Sequence, residues 1–167
     1  MKRALMVLAT AVLAGVVGSC SRGGVSGPPV VHAGRDECRG CGMLINEDRC
    51  SSACIVEAAG VQEYALYDDI GCMLDHQREA AGVKFLSTYV HDYGTRAWVG
   101  AERAAFVWFD GDEVSTPMGS HIVAFGAERD AVEAAARHPG RVMSFVEVGQ
   151  VRQAWMEARW GKPEQGR

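Results

Sequence analysis

Strand pair, helix and strand follow one another twice in the same order, which predicts an α+β fold: two ββαβ units in series, packed into one compact domain. Apolar alternation around tight turns, helical spacing bounded by cap residues, and the repetition itself carry that expectation. In the first unit, about residues 50–93, "SACIVEA" and "VQEYALYD" alternate around Ala59 and Gly60 and read as a hairpin. Asp68 or Asp69 can cap a helix to about Ala81, with Ile70, Met73, Leu74 and Gln77 on one face. Gly82 stops it, and "VKFLSTYVHD" is the third strand. The second unit, about 104–148, repeats the order with "AAFVWFD", "SHIVAFG", the helix "ERDAVEAAARH" stopped at Pro139 and Gly140, and the strand "RVMSFVEV". "YGTRAWVGAERA" holds the boundary between units, and a last helix over about 150–160 offers Val151, Trp155 and Trp160 for packing.

Before this domain, at about 37–161, lie two segments of other kinds. Residues 1–19 place Lys2 and Arg3 ahead of an apolar run from Ala4 to Val17, the layout of a secretory signal too short to span a membrane comfortably. The run ends in "VVGSC", with small residues directly before Cys20, as in a lipobox; lipidated Cys20 would become the mature N-terminus and anchor the chain to a membrane. An ordinary signal peptide with a chance cysteine is the plainer alternative. Residues 20–36 are rich in Gly, Pro and Ser and read as a flexible tether, whose some sixteen residues give a reach of about 20 Å. The domain is thus expected to face the periplasm or cell exterior.

With 17 basic and 21 acidic residues the formal charge is −4, and loss of Lys2 and Arg3 with the leader takes it to −6. That balance argues against a nucleic-acid partner. Lipidation of Cys20 leaves Cys38, Cys41, Cys50, Cys54 and Cys72, an odd number that cannot all pair with one another. Cys50 and Cys54, on one face of an extended strand, stand about 13 Å apart, too far to pair mutually.

The chemistry concentrates in "CRGCGMLI", residues 38–45. A c-type haem needs histidine after the second cysteine, where Gly42 stands. A structural zinc site of four cysteines would need Cys50 and Cys54 beside Cys38 and Cys41, and their C-x3-C spacing departs from the ribbon pattern. A thiol-disulfide oxidoreductase would place Cys38 and Cys41 at a strand-to-helix junction, whereas they lie at the end of a tether. Met43 adds a thioether, and thiolate with thioether selects copper(I), although "GML" would serve equally as the start of a core. Met118 occupies a Pro-Met-Gly turn, where methionine is unusual on propensity grounds. His121 follows three residues later as a candidate ligand or supporting donor, or as an ordinary hydrogen-bonded histidine.

Other polar groups have structural readings. Asp69 reads as a helix cap and Cys72 as a buried thiol, since Cys72 and Met73 point about 100° apart on a helix. His91, Asp92 and Arg96 read as a brace for the turn between the units. No nucleophile elbow, phosphate loop or HExxH motif occurs, so an enzyme is not expected.

The signal ending in Cys20, "CGMLI", "YDDIGCML" at 67–74, "YVHDYGTRAWVGAERAAFV" at 89–107 and "TPMGSHIVAF" at 116–125 together resemble the NosL family. The resemblance covers nearly the whole mature domain. It implies two ββαβ units and a membrane-anchored copper(I) chaperone that delivers metal for assembly of nitrous oxide reductase in denitrifying bacteria. It implies one copper(I) ion held by Cys41, Met43 and Met118. It also implies partners that donate or accept copper, among them an ABC-type maturation transporter and nitrous oxide reductase. Cys38 and His121 depart from the family pattern and are accessory donor candidates.

Overall fold

The computed structural model describes residues 24–161, so the expected leader and Cys20 lie outside the described residues. The first hairpin joins β1 (Ser52–Ala58) to β2 (Val61–Tyr67). Its two-residue turn is tight because Ala59 and Gly60 both adopt positive φ, 50° and 77°, the twist that suits a right-handed strand pair. Helix α1 (Ile70–Glu79) is capped by Asp69, whose side chain accepts from the Gly71 N–H. Of its expected inner face, Ile70, Met73 and Leu74 are buried. Strand β3 (Lys84–His91) returns antiparallel to β1 on the edge away from β2.

The segment between the units makes a short further strand, β4 (Trp98–Gly100), on the open edge of β3, followed by a 3-10 turn at Ala101–Arg103. The second unit repeats the first with β5 (Ala105–Phe109), β6 (Ile122–Phe125), α2 (Glu128–Arg137) and β7 (Gly140–Met143). Strand orders are β2-β1-β3-β4 and β6-β5-β7, so the first strand of each unit is central. The two ββαβ units read from the sequence are therefore the observed architecture.

The second sheet is buried on both faces. Phe106, Ile122 and Ala124 join Tyr67, Ile70, Met73, Val90 and Val148 in one core, while Val107, Val123, Phe109 and Phe125 meet Ala131 and Ala134 of α2 in another. Successive side chains of β5 and β6 supply alternate cores, the period-two rule of a strand. The first of these cores draws on both units and welds them.

Three expectations shift. The last helix, α3 (Phe145–Trp160), opens five residues before Gln150, and "RVMSFVEV" divides into the end of β7 and the first turn of this helix. Ser144 and Glu147 cause the division by forming a reciprocal capping box. Trp160, expected to pack, is exposed at the helix end with Arg159 over its ring, and Trp155 is partly exposed against Trp108 and Arg152. Residues 24–36, expected as tether, carry no helix or strand but lie against the domain. Pro29 is buried, and the Tyr64 hydroxyl donates to the carbonyls of Ser26 and Gly27. The sixteen-residue reach is an overestimate.

The brace expected at His91, Asp92 and Arg96 centres on Asp92. Its Oδ1 accepts from the Gly94 and Thr95 N–H groups and the Thr95 hydroxyl, and its Oδ2 accepts from the Gly126 N–H at 2.7 Å. Gly126 belongs to the second unit, so one carboxylate ties the end of β3 to the end of β6. Burial alone would raise the pKa of Asp92, but the donated hydrogen bonds outweigh it and hold the carboxyl below its ordinary value. Because the folded state binds the proton less tightly than the unfolded chain, this stabilisation is complete above the ordinary carboxyl pKa of about 4 and is lost as pH falls through the lower folded value. Asp92→Ala is expected to lose about 2–4 kcal/mol at neutral pH. Urea unfolding at neutral and acid pH checks this: the gap between parent and variant should narrow in acid, and a gap unchanged by pH would contradict the account.

Candidate metal centre

The segment "CRGCGMLI" forms a small hairpin of its own. Glu37 and Leu44 make an antiparallel bridge, the Cys38 N–H donates to the Met43 carbonyl at 2.7 Å, and the Gly42 N–H donates to the Cys38 carbonyl at 2.8 Å. This fold-back aims both cysteines at one corner of the domain. The Arg39 N–H donates to the Leu66 carbonyl at 2.7 Å and so pins the turn to the end of β2. Gly40 permits the approach, since a Cβ there would stand 3.0 Å from the Cys72 carbonyl oxygen and 3.2 Å from the Cys72 Cβ.

At this corner Cys38, Cys41, Asp68 and Cys72 each turn one donor atom inward, all within 4.8 Å of one another. The Cys41 Sγ lies 3.7 Å from both Asp68 oxygens. Cys38 and Asp68 are buried, Cys72 is half-buried and Cys41 is exposed, so the cluster has a floor and one open side. Asp68 is the last residue but one before α1 and Cys72 lies in the first turn of α1.

The second sulfur-bearing segment docks beside the first through the next residue. Asp69 is fully buried; its Oδ1 accepts from the Gly71 N–H, and its Oδ2 accepts from the Thr116 hydroxyl at 2.7 Å and the Met118 N–H at 3.0 Å. Close packing requires glycine at position 71, where a Cβ would stand 2.5 Å from the Ser120 Cβ. The loop carrying Met118 is thereby held to the helix terminus whose flank carries the thiols. Met43 and Met118 both stand at the surface, 53% and 44% exposed.

Of the residues singled out in the sequence, the fold brings Cys38 and Cys41 into one cluster and exposes Met43 and Met118 on the segments docked at Asp68 and Asp69. His121 lies outside the cluster. Its Nδ1 donates to the Val114 carbonyl at 2.9 Å and its Nε2 stands 3.5 Å from Asp112, with the backbone in the left-handed region at φ 56°. Asp68, a candidate cap in the sequence, and Cys72, expected only as a buried thiol, both belong to the cluster. Asp68 stands before the extended N-cap Asp69, outside the helix that carries Cys72, so helical spacing alone does not pair them.

The four-cysteine zinc alternative is not assembled. Cys50 is buried with the second-unit core, and Cys54 lies in the shared core with its thiol against Thr88 and Gln77. Burial pushes both thiols up. Among the described residues all five cysteines are free thiols, and Cys38 and Cys41 belong to a turn that precedes β1 in the chain and packs against the β2–α1 junction.

The four grouped donors share their protons unequally. A hydrogen bond from Cys72 holds the Cys38 thiol well below its ordinary range, and Cys72, bonded to that thiolate, is pushed up. Burial, then hydrogen bonding with Cys38 and its negative charge, raises Asp68 to about 6, and burial raises Cys41.

A family model described as NosL matches residues 29–152. The copper-binding lipoprotein NosL of Stutzerimonas stutzeri is 30% identical over 131 residues, 73% of this chain; the match spans 66% of that relative, just under two thirds of its length. The crystal structure of the copper chaperone NosL from Shewanella denitrificans matches with a TM-score of 0.59 at 21% identity, over 75% of this chain and 97% of that one, a likeness of fold.

The proton sharing predicts that reduced, metal-free protein keeps the ultraviolet absorbance of a thiolate well below the ordinary thiol pKa of about 8.5. Cys72→Ala removes the donor and should move that midpoint upward. A single thiol transition in the ordinary range, unchanged by the substitution, would contradict the assignment.

Proposed function

The chain belongs to the NosL family, and on that premise we propose that it is an extracytoplasmic copper(I) carrier, a chaperone and not an enzyme. Cys41, Met43 and Met118 bind one ion, with Cys38 as the accessory donor. The observation that carries this reading is the docking of two remote sulfur-bearing segments, 38–43 and 116–118, on the consecutive buried carboxylates Asp68 and Asp69, with Cys41, Met43 and Met118 left exposed. A thiolate and two thioethers are soft donors, and thioethers bind without losing a proton. Cys38 is favoured over His121 because its sulfur lies in the same cluster as Cys41, whereas His121 lies outside that cluster with its Nδ1 given to the Val114 carbonyl.

Exposed donors suit a carrier. An acceptor can add its own sulfur to the ion before Met43 or Met118 lets go, so copper moves by exchange and is never released free. Lipidation of Cys20 would hold the domain at a membrane facing the periplasm or cell exterior, within reach of copper-donating or copper-accepting proteins, an ABC-type maturation transporter and nitrous oxide reductase among them. The family membership supports that assignment, and so does the name of the Stutzerimonas stutzeri relative as a lipoprotein. Among the described residues no helix is long and apolar enough to cross a membrane.

Anaerobic titration of reduced protein with copper(I) against a chromophoric chelator should give one tight equivalent. Cys41→Ser and Met118→Ala should each weaken it by roughly tenfold or more, on the scale of lost metal-site interactions. Parent-like binding by both variants would place the ion elsewhere.

A further inference from the structure

We propose that residues 24–45 form a strap bound along the first sheet, and that this strap makes the β1–β2 hairpin tip, residues 58–61, the surface that meets lipid headgroups. The thiol corner then stands at the other end of β2, away from the bilayer. The membrane contact rests on the lipidation of Cys20 proposed above, and the strap itself does not.

Register and burial define the strap. Ala53 stands opposite Leu66 and Ile55 opposite Tyr64 in the β1–β2 pairing. These four share the face turned away from Cys54, Val56, Ala65 and Tyr67, which belong to the core between the units. Ala53 and Ile55 are nonetheless buried, and the chain before β1 closes over them. The Tyr64 hydroxyl donates to the carbonyls of Ser26 at 2.9 Å and Gly27 at 3.1 Å, and the Arg39 N–H donates to the Leu66 carbonyl at 2.7 Å. Pro29 and Ile45 of the strap are buried. Gly24 lies nearer the hairpin tip, where a Cβ would stand 2.5 Å from Gln62 Oε1. Contacts at Gln62, Tyr64 and Leu66 in turn run the strap along β2 from the tip to the thiol corner. Its later part is fastened to itself, with the Gly34 N–H donating to the Ile45 carbonyl at 2.8 Å and the Ile45 N–H donating to the Asp36 carbonyl at 2.9 Å.

Chain length then decides what the tip meets. Gly24 is four residues beyond Cys20, at most about 14 Å of extended chain. A lipidated Cys20 therefore holds Gln62 and the adjacent tip at the bilayer surface, where a free tether would let any face turn toward it. The tip suits that place. Ala58, Ala59, Gly60 and Val61 are all exposed and carry no charge in an acidic chain, and Val61 is 62% exposed. From Gln62 to Tyr67 β2 rises about 17 Å, so the thiol corner stands that much farther out when the tip touches lipid. Proteins that exchange metal with this corner approach it from the aqueous side.

Tryptophan placed at either end of β2 reads the orientation. Full-length protein, with acylation of Cys20 confirmed by mass, is reconstituted into phosphatidylcholine vesicles containing lipids brominated near the headgroup end of their chains. Val61→Trp should add emission that the brominated lipid quenches about twofold or more. Leu44→Trp, at a side chain 46% exposed beside the thiol corner, should add emission that it leaves unquenched. Replacing residues 24–30 by Gly and Ser at unchanged length should abolish the contrast. Equal quenching at the two positions in acylated protein overturns the orientation. Strong quenching of the parent, whose exposed Trp155 and Trp160 lie on α3, overturns it as well. A contrast that survives the replacement in folded protein overturns the strap. In detergent, without a bilayer, the Gly34 and Ile45 amides should exchange with solvent roughly tenfold or more slowly than in free chain, and fast exchange overturns the strap independently of lipid. A mature chain without acyl groups on Cys20 overturns the lipid reading and the membrane contact together, while slow exchange at Gly34 and Ile45 upholds the strap.

Discussion

The carboxylate of Asp69 is the constraint on which the candidate site depends. It is fully buried and uses both oxygens, one on the first turn of α1 and the other on the loop carrying Met118. A buried carboxyl group is tolerable only when its hydrogen bonds are made, and here the partners come from both ββαβ units. Loss of the carboxylate would leave buried donors unpaired as well as a helix uncapped, so the joint between units and the placement of Met118 fail together. Asp92 plays the matching part just past the C-terminal end of β3, joining that strand to Gly126. The two carboxylates fix one unit on the other by directional bonds, where the shared apolar core would set only their proximity.

Neighbouring residues divide the labour. Asp69 builds the scaffold and Asp68, one position earlier, faces the thiols. Rigid placement of the floor and exposure of the rim follow from the same corner. Cys38 is held by the hairpin bond to Met43 and by burial, while Cys41, two residues into the turn from Arg39, is open to solvent. Such a gradient from buried to exposed sulfur lets an ion be held firmly and still be approached by another protein's ligand. A fully enclosed site would bind as well and exchange poorly.

Much of the fold was legible because the helices and strands obey different periods and the order repeats. The Ala59–Gly60 turn, the Asp69 cap and the inner face of α1 could be read from local chemistry alone. The start of α3 was missed although Ser144 and Glu147 have capping-box spacing, because the apolar run "RVMSFVEV" looks continuous to a strand reading and only the cap breaks it. At the site, the cysteines of the turn were legible as a motif. Asp68 and Cys72 were not, because their role depends on the hairpin at 38–45 folding back onto the end of β2 through the Arg39–Leu66 bond. No local pattern encodes that docking.

The repeat duplicates the scaffold without duplicating the site. In the first unit the strand-to-helix corner reads Asp68-Asp69, and the helix begins under a side-chain cap. The equivalent corner of the second unit is Gly126-Ala127, where α2 begins without any side-chain cap bond and the Gly126 N–H is given to Asp92. With no carboxylate there, that corner can neither hold a foreign loop nor face a thiol; it serves instead as the partner that the first unit grips. Two copies of one topology have thus become unequal. One supplies the acidic corner and the cysteines, and the other supplies Met118 and the bulk of the core behind it. The proposed donor set of Cys41, Met43 and Met118 is drawn from both halves and would exist only when they are docked, which would tie copper binding to the integrity of the whole domain.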